Sequence, residues 1–137
     1  MKNYFSLSMP ERDINQISAL GLAHCGDAVF ELLVRSWLCD SGKLTTKQLH
    51  RETVQYVCAP AQAARADRML PLLTDDELAL YKRGRNAHTH MVPKNATHEQ
   101  YSKATGLECL FGALYLSGKL ARINELFVQT MEEPHAD

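Results

Sequence analysis

The stretch from Ala19 to Cys39 constrains the fold more than any other part of the sequence. Its apolar residues lie on nearly every side of a helix, which predicts a buried central helix. A polar stripe at helical spacing interrupts it: His24, Asp27, Glu31 and Arg35. Asp27 and Glu31 repel each other one turn apart, and Gly26 in mid-helix costs about 1 kcal/mol relative to alanine. Stability explains neither feature, so this turn is either a functional site or a dimer-interface glycine beside a salt-bridged acid.

Length and composition indicate an ordinary globular protein. With 137 residues, 45% hydrophobic and 23% charged, we predict a single domain over 1–137 with its core at about 14–131. We expect a cytoplasmic protein, because the sequence has no signal peptide pattern and no uncharged apolar run of about 18 residues. Four cysteines lie in apolar runs without a CxxC pair and are predicted to be reduced core thiols: Cys25, Cys39, Cys58 and Cys109.

Helix start and stop signals recur along the whole chain, and no alternating strand pattern is convincing, so the fold class is predicted to be all-α. The predicted helices are one opened by Pro10, the central helix from Ser18 to Asp40, one from Thr45 or Thr46 to Cys58, one from Pro60 to Pro71, one capped by Thr74 and stopped by Gly84, one from Thr97 to Ser117, and one from Leu120 to Met131. Two sets of residues are predicted to face inward: Leu49, Val54, Val57 and Cys58 on the third helix, and Leu120, Ile123, Leu126 and Phe127 on the last. Residues 1–9 are predicted to form a loose arm and 84–97 a long loop.

A second isolated acid lies in the apolar segment 107–116, where Glu108 is the single charged residue. An unpaired buried carboxylate is costly, so Glu108 needs a partner. One candidate is Asp27 across a divalent cation, since carboxylate oxygens with several waters suit Mg²⁺. Thr105, one turn earlier, would then orient a bound water. The alternative is an ion pair between Glu108 and a buried arginine such as Arg35.

Positive charge is concentrated between Lys82 and Lys103, with five Lys/Arg against one acid, although the net charge of the chain is −1. Such a cluster indicates an anionic partner at one place. Lys, Arg and Asn side chains suit a phosphate backbone, and the candidate RNA-binding residues are Lys82, Arg83, Arg85, Asn86, Lys94 and Asn95. The alternative is a solvated surface at a helix C-terminus. His88-Thr89-His90 is a weaker metal candidate, because it has no third ligand nearby.

Two segments carry a family resemblance. GDAVFELLVRSWL (26–38) and ATGLECLFGALYLSGK (104–119) resemble the two catalytic segments of the ribonuclease III family, in the same order and with similar separation. The short length, the KRGRNA run (82–87) and PKN (93–95) resemble its compact branch, the Mini-ribonucleases III, over roughly 14–131. The resemblance implies a homodimeric helical bundle that cleaves double-stranded RNA with Mg²⁺, in this branch a stem that flanks 23S ribosomal RNA. Asp27 and Glu108 match the catalytic Asp and Glu of the family. The resemblance therefore implies that these two residues bind the metal ion.

Three positions depart from the pattern of the larger enzymes, which carry further acids where this chain has Leu20, Ala23 and Thr105. The number of metal ions per site is therefore open. We expect no double-stranded-RNA-binding domain, and we therefore expect the loop 84–97 to hold RNA. A non-catalytic RNA-binding or assembly module is the alternative, but the presence of both Asp27 and Glu108 argues against it. A purely structural helical dimer leaves the basic cluster unexplained.

Overall fold

The computed structural model describes residues 1–43, 45–87 and 94–131, and every regular element within them is helical, which confirms the predicted all-α class. The helices are α1 (Glu11–Ile14), α2 (Ala19–Asp40), α3 (Thr46–Val57), α4 (Ala59–Met69), α5 (Asp75–Arg85), α6 (His98–Leu116) and α7 (Leu120–Met131), with a 3₁₀ turn at Leu70–Leu72. Within these ranges, no helix has the length and apolar character needed to cross a membrane.

Helix α6 lies at the centre of the fold, packed mainly against α2, α5 and α4. Its middle turns are almost completely buried because these neighbours surround it. Phe30 of α2 contacts Phe111 of α6 and Phe127 of α7 edge to face, with ring centroids 5.9 and 6.0 Å apart. The core is thus built around two long helices, α2 and α6, rather than around α2 alone.

Side-chain caps fix most of the helix starts at the predicted residues. The Ser18 hydroxyl accepts the Gly21 N–H, and Thr45 caps α3 in the same way. Two reciprocal capping boxes begin α5 and α6, formed by Thr74 with Glu77 and by Thr97 with Gln100. The sequence was sufficient to predict these helix starts, because a cap depends on two residues only three positions apart.

The prediction that Gly84 ends α5 is wrong, since α5 continues to Arg85 and is capped by Asn86. Gly84 is buried against α6, where an added Cβ would lie 2.9 Å from the Cα of Gly106 and 2.4 Å from the Cβ of Cys109. The absence of a side chain therefore permits close helix packing at this position and has no role in a turn.

The prediction that all four cysteines are buried in the core is wrong for two of them. Cys109 is buried and Cys25 is half-buried, but Cys39 and Cys58 are exposed. Cys39 occupies the outer side of the last turn of α2, and Cys58 lies at the junction between α3 and α4. Short apolar runs at helix ends do not define which side faces the core.

The predicted inward faces of α3 and α7 need correction for the same reason. On α3 the buried residue is Thr53, whereas Val54 is 49% exposed and Cys58 lies on the surface. Adjacent helical residues point about 100° apart, so burial of Thr53 turns Val54 outward. On α7, Ile123, Leu126 and Phe127 are buried as predicted, but Leu120 at its first turn is 39% exposed.

Helix α2 is buried on one side only in the single chain. Four residues at successive four-residue spacings lie exposed along its outer side: Leu20, His24, Ala28 and Leu32. Leu32 is 56% and Leu20 44% exposed, which is unusual for apolar side chains at the middle and start of a central helix. We call these four residues the outer stripe. The prediction of a helix buried on every side is wrong for this stripe.

The arm at residues 1–9 is mostly exposed but is attached to the end of α6. The Met9 N–H donates to the Leu116 carbonyl at 2.9 Å, and the Tyr115 hydroxyl donates to the Tyr4 carbonyl. These bonds give the arm a defined path across the C-terminal end of α6.

Candidate active site

Helices α2 and α6 cross at two glycines whose backbones approach the opposite helix. A Cβ added to Gly26 would lie 1.6 Å from the Glu108 carbonyl oxygen, and one added to Gly112 would lie 2.0 Å from the Leu22 carbonyl oxygen. Gly26 therefore faces α6 of its own chain, which removes the alternative that it is a dimer-interface glycine. The crossing brings Asp27, the next residue, beside Glu108.

The two isolated acids meet at this crossing. The Asp27 and Glu108 carboxyl groups lie beside each other, although they come from helices far apart in sequence. Burial raises the pKa of the Glu108 carboxyl to about 9, and the neighbouring Asp27 side chain acts in the same direction through hydrogen bonding and charge. A cation bound between the two side chains would offset the cost of ionising the Glu108 carboxyl.

The alternative ion pair of Glu108 with Arg35 is wrong. Arg35 is exposed and lies 3.6 Å from Glu31, one turn earlier on the same helix. An exposed pair of this kind contributes little to stability, typically below about 0.5 kcal/mol. The polar neighbours of the Glu108 carboxyl are therefore Asp27 and Gln62.

Gln62 of α4 is a residue that the sequence analysis missed. It is only 2% exposed, and its amide nitrogen donates to the Val57 carbonyl at 3.2 Å. Its side chain also lies beside the Glu108 carboxyl and lowers the pKa of that group through hydrogen bonding, against the effect of burial. A signal was present in the sequence, because Gln62 falls at helical spacing with Ala66 and Met69, and it is the one polar residue among the four that α4 buries.

A cavity of about 380 Å³ opens beside Glu108, between the α3–α4 junction and the first half of α6. Its polar lining consists of Gln62, Lys94, Asn95 and Glu108, with Cys58 at its edge. Its walls are otherwise apolar: Val57, Ala59, Pro60, Ala96, Tyr101 and Ala104. The cavity thus combines a cationic side chain, Lys94, with the Glu108 carboxyl.

The three departures from the larger enzymes supply no further carboxylate. Leu20 is exposed and Ala23 is buried, and the Thr105 hydroxyl donates to the Tyr101 carbonyl of its own helix at 2.9 Å. Thr105 therefore does not present a free hydroxyl proton to a water at Glu108. Across the described ranges, no cluster of three or more His, Cys, Asp or Glu side chains could hold a metal ion. Asp27 and Glu108 still fit Mg²⁺, which is commonly held by one or two carboxylates with several waters.

The predicted RNA-binding residues fall into two groups. Lys94 and Asn95 line the cavity beside Glu108. The others lie at the C-terminal end of α5, where Lys82 is exposed and the Arg85 Nε donates to the Asn86 Oδ1 at 3.3 Å. Arg83 differs from these, because its guanidinium donates to the Ile17 carbonyl and so ties α5 to the segment before α2.

The basic cluster is also smaller than the sequence indicated. Lys103 lies 2.8 Å from Asp67 of α4 and 3.2 Å from Glu99, so its charge is neutralised within the protein. Asp67 is distant in sequence and was not counted with the cluster. His88 and His90, the weaker metal candidates, lie outside the described residues, as does the part 88–93 of the predicted loop 84–97.

Comparisons with known proteins point to one family. Residues 20–119 match the family model described as "Ribonuclease III domain". The chain is similar to a Mini-ribonuclease 3 of Enterococcus faecalis, with 43% identity over 84% of this chain and 89% of that protein, and to one of Symbiobacterium thermophilum, with 43% identity over 78% and 82%. A crystal structure of a Fusobacterium nucleatum protein superposes with a TM-score of 0.76 at 30% identity, covering 85% of this chain and 93% of that one.

Proposed function

Because this chain belongs to the ribonuclease III family and is an endoribonuclease of that type, we propose that Asp27 and Glu108 form its catalytic centre, with Mg²⁺ as the cofactor and double-stranded RNA as the substrate. One observation supports this proposal above the others. The only charged group in the apolar half of α6, Glu108, meets the acid next to the crossing glycine of α2, at the edge of a cavity that also contains Lys94.

The residues of the centre have separate tasks in this proposal. Asp27 and Glu108 hold the cation through carboxylate oxygens. Bound Mg²⁺ supplies a Lewis acid that stabilises the negative charge developing on the scissile phosphate. Lys94 and Asn95 bind phosphate and ribose hydroxyls at the cavity, and the apolar walls limit the access of bulk water to Glu108.

Binding of the duplex outside the centre is assigned to the exposed end of α5. Double-stranded RNA is recognised mainly by its shape, through phosphates and 2′-hydroxyls. Lys82, Arg85 and Asn86 present donors of the required kind. Arg83 remains in the proposed surface as a source of positive charge, although its guanidinium is bonded to Ile17.

We assign the outer stripe of α2 to a homodimer. Leu20, Ala28 and Leu32 are apolar and exposed on a helix whose opposite side is fully packed, and a second copy of the same stripe would cover them. Two subunits would supply two centres, one for each strand of the duplex.

The cellular role we propose is maturation of 23S ribosomal RNA in the cytoplasm, by a single catalytic domain over 1–137. The sequence resemblance to the compact branch supports the role, and the relatives named Mini-ribonuclease 3 support membership of that branch. The exposed free thiols of Cys39 and Cys58 are compatible with a reducing compartment.

The test is cleavage of a long RNA duplex by Asp27→Asn and Glu108→Gln. Each variant keeps the side-chain size and removes a metal ligand, so we expect cleavage to fall by at least about 100-fold while the fold survives. Chelation of Mg²⁺ should abolish wild-type cleavage, and added Mg²⁺ should restore it.

The matched control is Glu31→Gln, which removes an exposed acid one turn from Asp27 and should leave the cleavage rate unchanged. Circular dichroism would establish that all three variants are folded. Cleavage by either site variant at the wild-type rate in saturating Mg²⁺ would show that the centre lies elsewhere.

A further inference from the structure

Gln62 is the most deeply buried polar side chain at the candidate centre. It lies near the start of α4 with 2% of its surface exposed, next to the cavity that contains Glu108. A buried amide needs partners for both of its amide protons, and an amide left unpaired is destabilising. Its partners therefore indicate why a polar residue occupies this apolar face.

The partners of Gln62 lie on two different elements. Its amide nitrogen donates to the carbonyl of Val57, the last residue of α3, at 3.2 Å. Its side chain also lies beside the carboxyl of Glu108 on α6, which lines the same cavity, and it stabilises the charged form of that carboxyl. The amide thus connects a fixed backbone carbonyl to the proposed metal ligand.

We propose that Gln62 is a positioning residue that holds the Glu108 carboxylate in the orientation required for Mg²⁺ binding. This inference rests on the function proposed above. A neutral amide is suited to this task because it donates a hydrogen bond without a positive charge that would compete with the cation. Hydrogen-bond partners of a ligand orient it, and their loss typically weakens metal affinity or activity by about 10- to 100-fold.

The same contacts allow a merely structural interpretation, in which Gln62 only satisfies the Val57 carbonyl at the α3–α4 junction. The two interpretations differ in what a substitution changes. A structural residue affects stability alone, whereas a positioning residue changes Mg²⁺ affinity even when the protein is fully folded.

The test compares wild type with Gln62→Met, which keeps the length and removes both donors. Mg²⁺ is titrated into the metal-free protein by calorimetry, and single-turnover cleavage of an RNA duplex is measured over a range of Mg²⁺ concentrations. We expect the Mg²⁺ dissociation constant and the half-maximal Mg²⁺ concentration to rise about 10-fold or more. The KM for the duplex should stay unchanged, because Lys94 and the α5 surface are intact.

The matched control is Thr130→Val, which removes a buried polar group distant from the centre, a hydroxyl that donates to the Leu126 carbonyl on α7 at 3.0 Å. It should lower the melting temperature without changing Mg²⁺ affinity. If Gln62→Met behaves like Thr130→Val, the inference is wrong and Gln62 is structural.

A second variant keeps the test decisive if Gln62→Met does not fold. Gln62→Asn retains a polar amide but is one methylene shorter, so it cannot bridge Val57 and Glu108, and the same rise in the Mg²⁺ dissociation constant is expected. If wild type neither binds Mg²⁺ nor cleaves duplex RNA, the proposed function fails and the inference fails with it. If wild type does both and the Gln62 variants match the control, only the inference fails.

Discussion

At the scale of single residues, adjacent positions of one basic run have different tasks. Lys82 is exposed and makes no ion pair or side-chain hydrogen bond within the described part of the chain, whereas Arg83 donates to the Ile17 carbonyl between two elements. We expect Lys82→Ala to weaken duplex binding. The slope of log affinity against log salt concentration should also flatten by about one unit, because binding with one phosphate contact fewer releases about one counterion fewer from the RNA.

Arg83→Ala should instead lower the free energy of unfolding by about 1–3 kcal/mol, because the hydrogen bond that it removes is made by a charged group.

Duplex affinity at several salt concentrations, with urea unfolding of both variants, separates these two effects. Lys47→Ala, an exposed lysine on α3, is the control for a general loss of charge. Equal salt slopes for Lys82→Ala and wild type would mean that RNA does not contact the end of α5.

At the scale of elements, the α2–α6 crossing depends on the absence of two side chains. A Cβ at position 26 would overlap the Glu108 carbonyl at 1.6 Å, and the overlapped atom is backbone that cannot rotate away. Gly26→Ala should therefore destabilise the protein by about 3 kcal/mol or more, despite a gain of about 1 kcal/mol in helix propensity. Urea unfolding measures the difference.

Ser36→Ala, on the exposed side of the same helix, provides the comparison. It changes helix propensity without touching α6 and should stay within about 0.5 kcal/mol of wild type. A Gly26→Ala variant as stable as wild type would contradict the close crossing, and with it the placement of Asp27 beside Glu108.

At the scale of the whole molecule, the proposed dimer should depend on the outer stripe. Leu32, 56% exposed at the middle of α2, would lie inside the interface, where a carboxylate has no partner and is costly to bury. We expect wild type to sediment as a dimer at micromolar concentration and Leu32→Glu as a monomer. Paired cuts on the two strands should decrease together with the dimer.

Val128→Glu places the same charge at an exposed apolar residue of α7 and should leave the dimer intact. A wild-type protein that sediments as a monomer at these concentrations would rule out the two-strand mechanism. A Leu32→Glu variant that remains a dimer would place the interface on another surface.

The sequence by itself determined the helices, because their starts depend on contacts three or four residues apart. The caps at Ser18, Thr74 and Thr97 are of this kind, and so is the last helix, which runs from Leu120 to Met131 as predicted. The sequence also predicted the two candidate acids, Asp27 and Glu108, because an isolated charged residue in an apolar helical segment can be recognised without a structure. Their pairing across a cation was one of two alternatives that the sequence left open. The segments that contain the two acids resemble ribonuclease III, and the match to the family model confirms that resemblance.

Only the tertiary structure decided how these helices use their surfaces. The sequence predicted a helix end at Gly84, but this glycine lies inside α5 and contacts α6. Lys103 was counted among the charges that could bind an anion, but it forms an ion pair with Asp67 of α4. Gln62 gained its importance from Val57 and Glu108, which lie on two other elements. In each case the deciding partner is remote in sequence, and local patterns contain no information about contacts that form only when the helices pack.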